Sequence, residues 1–264
     1  MNRLAGILSC ALVSVVIASS VWAWEIDIDN KLGAATYGEK YSNLDSEWNA
    51  FYYEGLVAVG HYPSEGLIGG VDFGIGMTPS ADEEWDLSNI KIQTNDLKFW
   101  QLENNAEIGY VLPFFVDKAP IAPIIGYGWS FTRFERTNFN ILDLLISSET
   151  IREDVWVHHL DMGFRITFLT HRKDMRVHAR AIYGLVLYSS AYNNGYDTTI
   201  EGDFGSFLVK GDLGVDYDIT EHLTLNFSGF VGIQHLEGGT SGMIVWPEND
   251  LNTYGGKIGV TYKF

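Results

Sequence analysis

Tyr254-Gly255-Gly256-Lys257-Ile258-Gly259-Val260-Thr261-Tyr262-Lys263-Phe264 alternates with a period of two. Tyr254, Ile258, Val260, Tyr262 and Phe264 share one parity; Lys257, Thr261 and Lys263 share the other. Successive side chains of a strand point to opposite faces, so this stretch predicts a strand with one apolar and one charged face. Working back along the chain, the pattern recurs over 207–219, 175–187 and 156–168. In the second of these, Val177, Ala179, Ala181 and Tyr183 oppose Arg176, His178 and Arg180. Over 99–112, Trp100, Leu102, Ala106, Ile108 and Tyr110 oppose Gln101, Glu103, Asn105 and Glu107. Weaker alternation covers 24–37, 48–62, 67–78, 123–136 and 223–236. That makes about ten strands, with eight as the count if two hairpins are misread. Strands of roughly 9–11 residues or more with one apolar face are what crossing a bilayer requires.

The connections alternate too. Short turns are expected near 63–66, 113–119, 170–174 and 219–222, and long polar loops near 38–47, 79–98, 137–153, 189–206 and 237–252. All six prolines fall in connections or, for Pro123, at a strand start, where no ladder N–H is lost. A soluble β-sandwich or a lipocalin-like barrel would also alternate. Charges converging on one parity in several neighbouring strands favour instead an all-β, antiparallel transmembrane barrel. An even strand count puts both termini on the short-turn side. The aromatic strand closed by Phe264 resembles the terminal signature of Gram-negative outer-membrane barrels. That resemblance implies an outer-membrane location with periplasmic termini. It also implies membrane lipids, lipopolysaccharide and the barrel assembly machinery as partners.

The chain has 264 residues, 34 of them acidic and 17 basic, and a formal charge of −17. Such a balance excludes nucleic acid as a main partner, since phosphate binding needs a basic face. The single cysteine, Cys10, excludes a disulfide framework and a Cys-based zinc site. It lies in an apolar run, Leu4 to Ser20, that follows Met1-Asn2-Arg3 and ends at Val21-Trp22-Ala23. Residues 1–23 are therefore expected to be a signal peptide, and 24–264 the barrel. After residue 23 no stretch holds 18 consecutive apolar residues, as a transmembrane helix would need.

The inward parity collects Asp27, Asp29, Lys31, Glu54, Asp72, Glu103, Glu107, His159, Asp161, Arg165, Arg176, His178, Arg180, Lys210, Asp212, Asp216 and Lys257. Ten strands enclose little more space than the eight that side chains can fill. Charges of both signs confined there are expected to pair into a plug, because an unpaired buried charge is expensive. A narrow ion or proton path along His159, Asp161 and His178 is the functional alternative. Inward glycines, among them Gly70, Gly74, Gly76 and Gly214, are expected to relieve crowding.

On the outer side, Asp82-Glu83-Glu84-Trp85-Asp86 resembles the loop of the omptins, ten-stranded outer-membrane endopeptidases. In that loop two carboxylates two residues apart, followed by Trp, help activate a water. The resemblance gives those places to Asp82 and Glu84, with Glu84 a departure, since omptins use Asp there. The tail from Gly256 to Phe264 is also similar. Omptins further carry Asp-x-His on the fourth outer loop, and the stretch Ser189 to Asp197 holds no histidine. His235-Leu236-Glu237 opens the fifth loop, but His235 shares the outward parity of Val231 and Ile233.

No Gly-x-Ser-x-Gly, phosphate loop, His-Glu-x-x-His or calcium-loop spacing occurs, and His158 and His159 point to opposite faces. No cofactor and no metal are expected. Arg133, Arg136 and Arg152, at the outer ends of strands five and six, are candidates for lipopolysaccharide phosphates. The run Ile141-Leu142-Asp143-Leu144-Leu145-Ile146 is expected to pack with Met243 and Trp246 as a lid, with a partner-docking patch as the alternative. Trp24, Trp48, Trp100, Trp129 and Trp156 are expected as interface anchors. The function this predicts is a non-enzymatic surface protein that binds an extracellular ligand or protein, or supports the envelope, through acidic outer loops. An omptin-like endopeptidase with a rearranged site and a narrow channel are the alternatives.

Overall fold

The computed structural model of the protein describes residues 24–112, 119–141, 144–172 and 174–264. The expected signal peptide and most of the 113–119 turn lie outside these. In chain order the strands are β1 (Glu25–Tyr41), β2 (Leu44–His61), β3 (Gly66–Met77), β4 (Ala81–Leu87), β5 (Ile90–Val111), β6 (Ile121–Ile141), β7 (Leu144–Ser147) and β8 (Ile151–Leu169). They continue with β9 (Met175–Asn193), β10 (Thr198–Glu201), β11 (Phe207–Asp218), β12 (Leu223–Leu236), β13 (Gly239–Ser241), β14 (Ile244–Trp246) and β15 (Glu248–Lys263). Among the described residues there is no helix.

Ten of these strands, β1, β2, β3, β5, β6, β8, β9, β11, β12 and β15, each pair antiparallel with the next. The circle closes where β1 meets β15, from Glu25 opposite Lys263 to Lys40 opposite Glu248. A closed sheet leaves no row of unpaired backbone N–H and C=O groups, the condition for a strand to cross lipid. Outward apolar residues form the matching belt: Phe51, Val57, Phe73, Ile75, Phe164 and Phe227 are all exposed. On β8 the belt runs from Trp156 to Leu169, and residues 151–155 project beyond it.

The long outer loops expected from the sequence are largely strand. β5 has 22 residues and β6 has 21, about twice what the membrane requires. The first outer connection is reduced to a tight turn at Ser42 and Asn43. The acidic stretch expected as a loop tip is β4, which takes over from β3 between β2 and β5. Pro79, without an N–H, separates the two, and Thr78 Oγ1 accepts the Phe99 N–H at 3.0 Å across the gap. β4 turns back into β5 through Ser88 and Asn89, both left-handed at φ 52° and 65°, the signature of a two-residue hairpin turn.

The interior has two storeys. The end carrying the termini and the short turns holds the charged residues beside a small apolar cluster of Ile68, Val111, Ala122, Ile124 and Ile182. Above them, inside the extended strands, lies an apolar core of Tyr37, Trp48, Tyr52, Leu97, Phe99 and Phe134, joined by Val155, Val157, Leu236 and Trp246. Phe99 and Phe134 pack with ring centroids 5.6 Å apart, and Tyr37 lies 4.5 Å from Phe134. Trp48, expected as an interface anchor, is buried here, and its indole N–H donates to the Leu97 carbonyl at 3.0 Å. Trp156 does belong to an outer girdle, against Phe131 at 4.6 Å and Trp129 at 5.9 Å.

Candidate functional site

The inward parity of neighbouring strands stacks the charged residues into pairs. Glu107 on β5 receives Arg165 from β8 at 3.1 Å and is also bound by Arg180 from β9. Arg165 lies 4.0 Å over the ring of Tyr62. One level up, Glu103 takes Lys210 at 2.7 Å, and Glu54 takes Lys31 at 2.9 Å and the Tyr52 hydroxyl at 2.7 Å. Asp72 accepts from the Asn105 amide at 2.7 Å. Arg176 is bidentate on Asp218, at 2.8 and 3.0 Å. Buried charges survive only with such partners, and double engagement of one carboxylate fixes its geometry.

The histidines of the expected proton path are held the same way. His159 is buried with Nδ1 2.7 Å from Asp161 Oδ1. His178 sits between Asp216, 3.0 Å from Nδ1, and Asp212, 3.4 Å from Nε2. The two rings are fixed as members of carboxylate pairs. Glycines make the room: a Cβ on Gly128 would lie 2.3 Å from His159 Cε1, and one on Gly76 would lie 2.5 Å from the Tyr52 hydroxyl.

A vestibule of about 380 Å³ opens among these groups at the end carrying the termini, lined by Asp27, Glu107, Arg165, His178, Arg180 and Asp212. A smaller space of about 100 Å³ lies between Glu54, Glu103, His159 and Lys210 and reaches Phe230. The buried apolar core lies above it.

Arg136 overturns one expectation. It points into the barrel rather than outward, and is buried. Its guanidinium is bound by Glu39 and, at 2.8 Å, by Glu83, with Glu153 at 4.0 Å. It is therefore withheld from lipopolysaccharide. These groups stand above the lipid belt, in the extended part of the strands. Three carboxylates face one guanidinium there, and Glu153 Oε1 has no hydrogen-bond partner among the described residues. Burial, and then the negative charge of Glu39, push the Glu153 carboxyl up to about 7, with Arg136 opposing.

The other two arginines face out. Arg133 makes a bidentate pair with Asp154, 2.6 and 2.8 Å, beside the rings of Trp100 and Phe131. Arg152 is exposed, 3.7 Å from Glu135. The apolar run is no lid. Leu144, Leu145 and Ile146 are 62–69% exposed and Met243 is fully exposed, while Trp246 joins the core. Leu142 and Asp143 lie outside the described residues.

In β4 the side chains of Asp82 and Glu84 point outward, and Glu84 binds Lys91 at 2.8 Å. His235 lies on β12, with β15, β1 and β2 between it and β4. Four strand spacings, roughly 19 Å, separate them. The omptin pattern of paired carboxylates beside a histidine is not assembled. Sequence reasoning missed Glu39, Glu83 and Glu153. Glu39 continues the parity of Asp27 and Asp29, and Glu153 that of His159 and Asp161, so extending those strands would have found both.

No protein-family model and no curated protein matches the chain. Among solved structures it is similar to the translocator domain of the autotransporter NalP from Neisseria meningitidis, with 11% identity, TM-score 0.45, and 100% of this chain and 96% of that one covered. The transport unit of the autotransporter AIDA-I from Escherichia coli gives 9%, 0.44, and 98% of each chain. A major outer membrane protein from Thermus thermophilus gives 12%, 0.43, and 91% and 99%. By its own closed sheet and outward apolar belt, this chain is a ten-stranded transmembrane β-barrel of the outer-membrane kind.

Proposed function

We propose that the chain is a non-conducting surface protein of a Gram-negative outer membrane, with both termini periplasmic, and that it works non-enzymatically through its extracellular rim. One observation carries this: above the vestibule the lumen narrows to ion pairs around a space of about 100 Å³ and then to a core of buried apolar side chains. Nothing of solute size passes a barrel filled that way, so what the protein presents to the outside is its strand-built rim. The exposed apolar tips, Leu144 to Ile146, Tyr196, Phe204 and Met243, suit a binding role. Arg152 on the outer face suits contact with lipopolysaccharide phosphates.

The test is complementation. Cells lacking the protein receive either the full chain or one whose 137–150 and 237–247 rim segments are replaced by two-residue turns. Both chains are checked for folding by the heat-dependent gel shift. Envelope permeability to a hydrophobic dye is expected to be restored by the full chain alone. Full restoration by the shortened chain removes the rim from the function.

A further inference from the structure

We propose that His235, Glu248 and Asp250 form a binding site for a zinc-class divalent cation on the outer wall of the barrel, at the edge of the lipid belt. The three side chains come from adjacent strands in fixed register: His235 on β12 stands opposite Asp250 on β15. One donor atom from each lies within 4.8 Å of the others. Nδ1 of His235 is 2.8 Å from Asp250 Oδ1 and 3.9 Å from Glu248 Oε1. Around a tetrahedral zinc with bonds of about 2.0–2.1 Å, ligand atoms sit roughly 3.3 Å apart. The two gaps from Nδ1 need changes of about half an ångström, within reach of side-chain rotation.

The ring is already oriented for such a role. Its other nitrogen, Nε2, faces Glu237 Oε1 at 3.5 Å, so a carboxylate stands behind the ring as one does behind metal-bound histidines. Phe207 stacks on the imidazole at 5.1 Å, with 28° between the planes. Glu237, Glu248 and Asp250 thus place three carboxylates around one imidazole. Lys40 stands opposite Glu248 in register, with no ion pair between them among the described residues. One imidazole nitrogen with carboxylate oxygens suits zinc-class ions, whereas calcium and magnesium prefer oxygen ligands alone. Three protein ligands leave one position open, which places an exchangeable ligand at headgroup depth.

The experiment titrates Zn²⁺ into the chelator-treated protein, refolded in detergent, in competition with a chromophoric chelator. One ion per chain is expected, with His235→Gln and Asp250→Asn each weakening binding at least tenfold while the heat-dependent gel shift is retained. Asp82→Asn should leave the affinity unchanged, and Ca²⁺ or Mg²⁺ at equal concentration should not displace the ion. Sub-stoichiometric binding, an affinity indifferent to the folded variants, or displacement by Ca²⁺ overturns the proposal. Asp250 is half exposed, so its variant decides the matter if His235→Gln does not fold.

Discussion

Arg136 shows how one side chain organises the outer half of the barrel. It comes from β6 and draws in Glu39 from β1, Glu83 from β4 and Glu153 from β8. Removing its charge leaves three buried carboxylates without their cation. Arg136→Gln should cost about 3–5 kcal/mol, read as a lowered guanidinium unfolding midpoint, and acid should rescue it by neutralising the acids. Glu153 gives the complementary prediction. Its folded carboxyl titrates near 7 against an ordinary 4.5, so the folded state holds the extra proton between those values. The stabilisation is therefore full below about 4.5 and is lost as pH rises through about 7. Wild type should lose stability relative to Glu153→Gln between pH 4.5 and 7.5; a pH-independent difference would show that Glu153 is not buried as described. In the lower lumen, Glu103→Gln, Arg165→Gln and Arg180→Gln should each lower the thermal midpoint in detergent, since each orphans a partner. An unchanged midpoint in all three would contradict the paired interior.

At the scale of the strand, what the sequence showed depended on which face carried the contrast. In β15, β9 and β8 apolar lipid-facing residues alternate with charged lumen-facing ones, and those strands were legible to within a few residues at the membrane. Their outer extensions were not. There the interior turns apolar at Phe99 and Val155 while the outer face turns polar, so the contrast inverts along a single strand. β4 was hidden differently. Glu83 is the inward residue, and its charge is met by Arg136, 53 positions away, with the Asn95 amide donating beside it at 2.7 Å. Read locally, Asp82 to Asp86 is a uniform acidic run. The same long-range dependence explains the misplacement of Arg136, whose partners no local pattern names. Strand packing also sets a prediction at Gly128, opposite His159 in register. Gly128→Val would drive His159 from Asp161 and should destabilise by about 1–3 kcal/mol. The gel-shifted, folded fraction after refolding measures this.

The whole molecule is a barrel that changes character along its axis. Within the lipid belt it is apolar outside and ion-paired inside. Beyond the belt it becomes a small β-barrel domain with its own aromatic core, which places the rim above the membrane on rigid strands rather than loops. The exposed apolar tips, the outward arginines and the His235 cluster are all carried on that rim or at its base, where a partner or lipid can reach them. A lumen without a continuous path carries no ion current, so conductance distinguishes a filled barrel from a channel. The purified protein, reconstituted into planar bilayers after a confirmed gel shift, should give no discrete current steps in 1 M KCl. Resolved, reproducible steps from the folded protein would contradict the closed lumen and make a channel of it.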